Sequence, residues 1–67
     1  MAEVHKKLEE LRLKNGYTYL DMANKLGVCK SYYWQIEHNN RLVHDFELFA
    51  FANIFKVSAD EFNFKGN

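Results

Sequence analysis

The segment Cys29-Lys30-Ser31-Tyr32-Tyr33-Trp34-Gln35-Ile36-Glu37-His38 concentrates side chains that can hydrogen-bond or stack on a partner. Lys30 brings a point charge with three donors, Ser31 a hydroxyl, Gln35 an amide with both donors and an acceptor, and Trp34 a flat apolar ring with one N–H. This is the chemistry of recognition, in which no covalent bond is made or broken. No nucleophile-base pair, carboxylate pair or phosphate loop has a recognisable spacing in the chain, so an enzyme is not expected. Cys29 is the single cysteine and cannot close an internal disulfide, and His5, His38 and His44 lack metal-ligand spacing. No cofactor, metal or small-molecule ligand is expected.

Recognition residues need a rigid mount, and the surrounding pattern supplies one. At about 100° per residue, a helix starting near Cys29 places Tyr33 and Ile36 on one face, continuing from Val28, and these are the predicted core positions. Ser31, Trp34, Gln35 and His38 fall on the opposite face, with Lys30 in the exposed first turn and Tyr32 on the flank. Upstream, Thr18 and Asp21 form a capping-box variant that opens a helix with Leu20, Ala23 and Leu26 as its predicted inner face. Ala23 leaves room for two helices to cross, and Gly27 permits a tight turn at positive φ. Two short helices joined in this way have the layout of a helix-turn-helix, whose second helix is presented to a DNA groove.

The flanks are helical too, because proline is absent and glycine occurs only at Gly16, Gly27 and Gly66. A first helix is predicted over residues 2–14 with Val4, Leu8 and Leu11 on its apolar stripe, stopped by Asn15-Gly16. A fourth is predicted over residues 45–55, capped by Asp45 and packing Leu48, Phe49, Ala52 and Phe55. Ser58-Ala59-Asp60-Glu61 reads as a capping box for a last short helix ending at Phe62 or Phe64. The expected fold is all-α: a compact bundle of five short helices forming a single domain over residues 1–67.

Order and spacing together resemble the lambda-repressor-like family of Cro and Xre type DNA-binding domains. Members often read Leu-Arg-x-x-x-Gly-x-Thr, Ala-x-x-Leu-Gly-Val, Ile-Glu and Val-Ser-x-Asp-Glu-Leu. The matching residues here are Leu11-Arg12 with Gly16 and Thr18, Ala23 with Leu26-Gly27-Val28, Ile36-Glu37, and Val57-Ser58-Ala59-Asp60-Glu61-Phe62. The resemblance implies base contacts from Lys30, Ser31, Trp34 and Gln35. It also implies backbone contacts from Thr18, Tyr19, Tyr32, Asn39, Asn40 and Arg41, which would set register and carry no sequence preference. Arg12 and Glu37 are implied to form a structural ion pair between the first and third helices. Tyr19 stands where Gln is common, Cys29 where Ser or Thr usually caps, and Lys56 where Gly is frequent.

Composition fits a small domain that folds unaided. A 67-residue chain buries only about 60% of its unfolded surface, so large side chains must fill the core. Hydrophobic residues make up 48% and aromatic residues 16% of the chain, enough to argue against disorder. There is no signal-peptide pattern near Lys6 and Lys7 and no apolar run of membrane-spanning length, so a cytoplasmic protein is expected. Net charge is zero, yet seven Lys/Arg face five Asp/Glu up to Arg41, and two face four beyond it. A weakly positive half suits double-stranded DNA at modest affinity, and dimerisation would supply the rest. The C-terminal aromatic-rich region is the expected homodimer surface, with Phe51 or Phe64 as its exposed patch. The neutral charge also suits an alternative, a helix-turn-helix domain turned to protein binding.

Overall fold

The computed structural model describes residues 3–62. Within them the order is α1 (Glu3–Lys14), α2 (Tyr19–Leu26), α3 (Lys30–Glu37), α4 (Asp45–Phe55) and a short 3-10 turn (Ala59–Phe62), with no strand among the described residues. None of these helices is long and apolar enough to cross a membrane.

Each boundary has a local cause. α1 stops because Gly16 adopts a left-handed φ of 72° and the Asn15 side-chain amide donates to the Leu11 carbonyl at 2.8 Å. At the start of α2, the Asp21 amide donates to Thr18 Oγ1 at 3.0 Å while the Thr18 amide donates to the Asp21 carboxylate at 2.9 Å. This reciprocal pair is the predicted capping box, and it fixes where the helix begins. Gly27, at φ 84°, ends the helix: its own amide and that of Val28 both return to the Ala23 carbonyl.

The core gathers Leu8, Leu11, Met22, Ala23, Tyr33, Ile36, Leu48, Phe51, Ala52, Phe55 and Phe62. Two expected faces are rotated in the structure. In α2 the buried stripe contains Met22 and Ala23, with Tyr19 and Leu26 packed at its edge, whereas Leu20 is 53% exposed. The i, i+3, i+4, i+7 series from Tyr19 gives a continuous apolar stripe that keeps the expected Ala23 and Leu26 and takes Met22 in place of Leu20. In α4 the same series from Leu48 buries Phe51, Ala52 and Phe55, and Phe49 turns outward. Phe51 therefore belongs to the core and is not part of an exposed patch. Phe64 lies outside the described residues.

Two caps also differ from expectation. His44 occupies the N-cap of α4, one residue before Asp45, and its amide donates to Glu47 Oε1 at 3.0 Å. Ser58 opens only a 3-10 turn: its Oγ accepts from the Asp60 amide at 3.2 Å, while the Glu61 carboxylate pairs with Lys7 Nζ at 3.4 Å. The fifth helix is thus a single tight turn, drawn towards α1 by that ion pair and anchored by the fully buried Phe62.

Lys56 ends α4 in the left-handed region at φ 59°, a conformation that costs a residue with a Cβ about 1 kcal/mol or more. Lys56→Gly should relieve that strain and raise unfolding stability by about 0.5–1 kcal/mol in urea titration. A loss of stability would show that the Lys56 side chain contributes more than its backbone strain costs.

Candidate nucleic-acid interface

A recognition helix can present side chains only if its opposite face is held still. Beneath α3 the Glu37 carboxylate receives Arg12 Nε at 2.9 Å and Nη2 at 2.9 Å on its two oxygens, and the Tyr33 hydroxyl at 2.6 Å. Arg12 Nη1 also donates to the Tyr17 carbonyl at 3.1 Å, and its guanidinium lies 4.3 Å above the centre of the Tyr19 ring. One buried arginine therefore joins α1, the loop before α2, the first turn of α2 and the end of α3. Arg12 and Glu37 keep only 7% and 5% exposure, and the fork geometry answers the loss of water with charge-assisted hydrogen bonds. Its hydrogen bonds to the Glu37 carboxylate raise the already high pKa of the Arg12 guanidinium.

The outward residues fall into three groups. Lys30 and Ser31 are exposed in the first turn of α3. Cys29 is the N-cap but makes no side-chain capping bond, and its Sγ lies 3.7 Å from Ser31 Oγ. The backbone at Tyr32, and then the Ser31 hydroxyl, pull the Cys29 thiol pKa below its ordinary value. Trp34 is 40% exposed and stacks on His38 at 3.7 Å and 14°, with His38 Nδ1 2.9 Å from the Trp34 carbonyl oxygen. The indole is thus held against the end of the helix by an imidazole that itself leans on Tyr19. His38 shares the Trp34 face by the i, i+4 rule, so the pairing was open to sequence reasoning that treated it only as a surface residue.

Gln35, half-buried, belongs to a longer chain of contacts. Its Oε1 accepts from Arg41 Nε at 3.1 Å, and the Arg41 guanidinium lies 4.4 Å above the Tyr32 ring. The Tyr32 hydroxyl donates to Glu47 Oε2 at 2.5 Å, and Glu47 is buried in the first turn of α4. That bond, ahead of burial, raises the Tyr32 pKa. Tyr32, expected among the backbone-contact residues, therefore has its hydroxyl already given to Glu47, because a buried carboxylate needs its donors. Sequence reasoning did not single out Glu47. Its only signal was an acidic residue three positions after His44, at the start of an apolar helix.

The remaining expected backbone-contact residues lie around α3. Asn39 turns the chain at φ 60°, and the Asn40 amide donates to the Gln35 carbonyl at 2.8 Å, so both exposed asparagines lie in the turn that follows α3. Thr18 is exposed at the start of α2, where the first-turn amides of Tyr19 and Leu20 have no intrahelical acceptor and can face an anion. Tyr19 packs its ring on Tyr33 and His38, which links that helix start to the recognition helix.

This arrangement is two crossed helices, a left-handed glycine turn and a second helix braced from below with a polar and aromatic outer face. Over residues 6–63 the sequence matches the helix-turn-helix domain family. The chain belongs to that family. No curated protein and no solved structure matches it. In this helix-turn-helix domain, α2 and α3 are the two helices of the motif, while α1, α4 and the 3-10 turn complete the core that supports them.

Two consequences of the brace can be measured. Arg12→Ala leaves Glu37 buried without its cation, and denaturant unfolding should show a loss of about 3–5 kcal/mol. Tyr33 is fully buried, and burial, followed by its bond to Glu37, pushes its pKa far above the ordinary value near 10. The protonated phenol therefore contributes its full stability below about pH 10, and that contribution is lost as the pH rises towards the folded-state pKa. Unfolding free energy should fall above pH 10 by up to about 1.4 kcal/mol per pH unit from this group. Tyr33→Phe should flatten that alkaline slope, and an unchanged slope would remove Tyr33 as its source.

Proposed function

We propose that this chain is a sequence-specific, double-stranded DNA-binding transcriptional regulator. It reads the major groove with α3 and acts without catalysis. The observation that carries this reading is the outer face of α3: Ser31, Trp34 and Gln35 with Lys30 in the first turn, on a helix whose inner face is fixed by Arg12, Tyr33 and Glu37. Lys30 can donate to guanine O6 and N7, Gln35 can bond both ways with adenine, Ser31 can serve either base, and Trp34 can cover a thymine methyl group. In this reading Thr18, the amide of Tyr19, Asn39, Asn40 and Arg41 contact the phosphates on either side.

The protein acts as a homodimer on a palindromic operator, with half-sites about one helical turn apart. It is a small repressor of the phage or mobile-element type, working in the cytoplasm. Leu42, Phe46 and Phe49 are 75%, 71% and 54% exposed, and this end of α4 is the dimer surface. A zero net charge makes the monomer a weak binder, so two recognition helices are needed for useful affinity.

A second reading is favoured by the same neutral charge and exposed apolar residues. In it the domain binds another protein through Trp34 and the Phe46 end, with little DNA affinity.

Selection from random duplex DNA followed by gel shifts at two salt concentrations separates the two. Enrichment of a two-fold symmetric motif, with a shallow salt slope, supports the regulator; no enrichment at micromolar protein overturns it in favour of protein binding. Gln35→Ala should relax preference at one base step per half-site by about five- to 150-fold, with other steps unchanged. An equal loss on all sequences would remove Gln35 from base reading.

A further inference from the structure

We infer that Arg41 is a positioning residue for sequence discrimination: it fixes the orientation of the Gln35 amide, and so decides which donor-acceptor order α3 offers to a base edge. The inference rests on the DNA-binding reading above and departs from a purely phosphate-contacting Arg41.

Arginine has only donors, so the Gln35 atom 3.1 Å from Arg41 Nε must be the oxygen. A flipped amide would set its NH2 group against the guanidinium, donor facing donor. The amide is held in one order, oxygen towards Arg41. That oxygen keeps a second lone pair, and the NH2 group remains available. An adenine edge needs both, a donor to N7 and an acceptor for N6, in one spatial sequence. An amide free to flip offers that sequence only part of the time.

Arg41 is itself constrained. Its guanidinium rests over Tyr32 at 4.4 Å, and Tyr32 is bound through its hydroxyl to the buried Glu47, which also accepts the His44 amide. The loop carrying Arg41 returns to α3 because Asn39 turns at φ 60° and the Asn40 amide bonds to the carbonyl of Gln35 itself. The recognition side chain is thus linked, contact by contact, to the first turn of α4. Four residues, Gln35, Arg41, Tyr32 and Glu47, behave as one unit whose outward product is an adenine-reading amide.

The test measures base preference at the step that depends on Gln35, for the full chain and for Arg41→Ala, Arg41→Lys, Gln35→Ala and the double alanine variant. Arg41→Ala should reduce preference at that step by about three- to tenfold and leave other steps as they are. In the Gln35→Ala background it should change only overall affinity, with the salt slope lower by about one. Arg41→Lys keeps the charge and the slope but lacks the planar fork, and it should not restore preference. Arg41 is exposed, so these variants should fold, and circular dichroism checks this. A second readout needs no DNA: the Gln35 side-chain NH2 resonances of the free protein should shift in Arg41→Ala. Uniform weakening of all sequences with preference intact overturns the coupling while leaving the regulator standing. A wild-type chain that enriches no motif overturns both.

Discussion

The buried contact of Arg12 with Glu37 is the constraint on which the rest of the domain depends. A short α3 could not hold a fixed attitude by apolar packing alone, since an eight-residue helix buries only Tyr33, Ile36 and Glu37. Burying a carboxylate there forces it to find donors, and two residues supply them: Arg12 from α1 and Tyr33 from one turn earlier. The cost of dehydrating two charges means the pair adds little net stability over an apolar substitute. What it adds is angular definition, because the guanidinium fork accepts a carboxylate in few orientations. Tyr17 and Tyr19 extend the definition to α2, so both helices of the motif take their position from one cation.

A second buried carboxylate repeats this logic at the other end of the recognition helix. Glu47 is satisfied by Tyr32 and by the His44 amide, and through Tyr32 it orders Arg41 and Gln35. The two networks differ in reach. The Arg12 network lies wholly beneath α3 and fixes the scaffold, whereas the Glu47 network emerges at the surface and ends on a side chain that can touch a partner. Aromatic rings serve both, as flat surfaces on which guanidinium groups rest. This explains why so small a domain carries so many tyrosines without all of them being apolar filler.

The neutral charge of the chain takes on meaning in this setting. Arg12 is committed internally and Lys7 pairs with Glu61, while the Lys25 ammonium lies over the Tyr17 ring at 4.7 Å. Lys30 and Arg41 are the cations set on or beside the recognition face. Attraction to a phosphate backbone is therefore limited in this domain, and in the reading proposed above discrimination comes from geometry more than from charge.

Much of this was legible in the chain itself. Capping chemistry is local, so Thr18 with Asp21, Asn15-Gly16 and Gly27 set the boundaries of α1 and α2 from a few neighbouring residues. Helical periodicity likewise placed Tyr33 and Ile36 inside and Ser31 and Trp34 outside. The rotated face of α4 was not legible, because apolar residues nearly encircle that helix and only the neighbours it meets decide whether Phe51 or Phe49 is covered. In α2 the apolar arc has Met22 at one edge and Leu20 at the other, and packing decides which edge is covered. Ser58 with Glu61 does not close as a capping box, and the Glu61 carboxylate instead faces Lys7, distant in sequence. The linkage of Gln35 to Arg41, Tyr32 and Glu47 was hidden for the same reason. The sequence alone determined the four α-helices, the boundaries of α1 and α2 and the outward face of α3, since these follow from interactions within one or two turns. Which polar groups on and under that face are already bonded to one another was decided only by tertiary structure, because hydrogen bonds between distant residues exist only once the helices are packed.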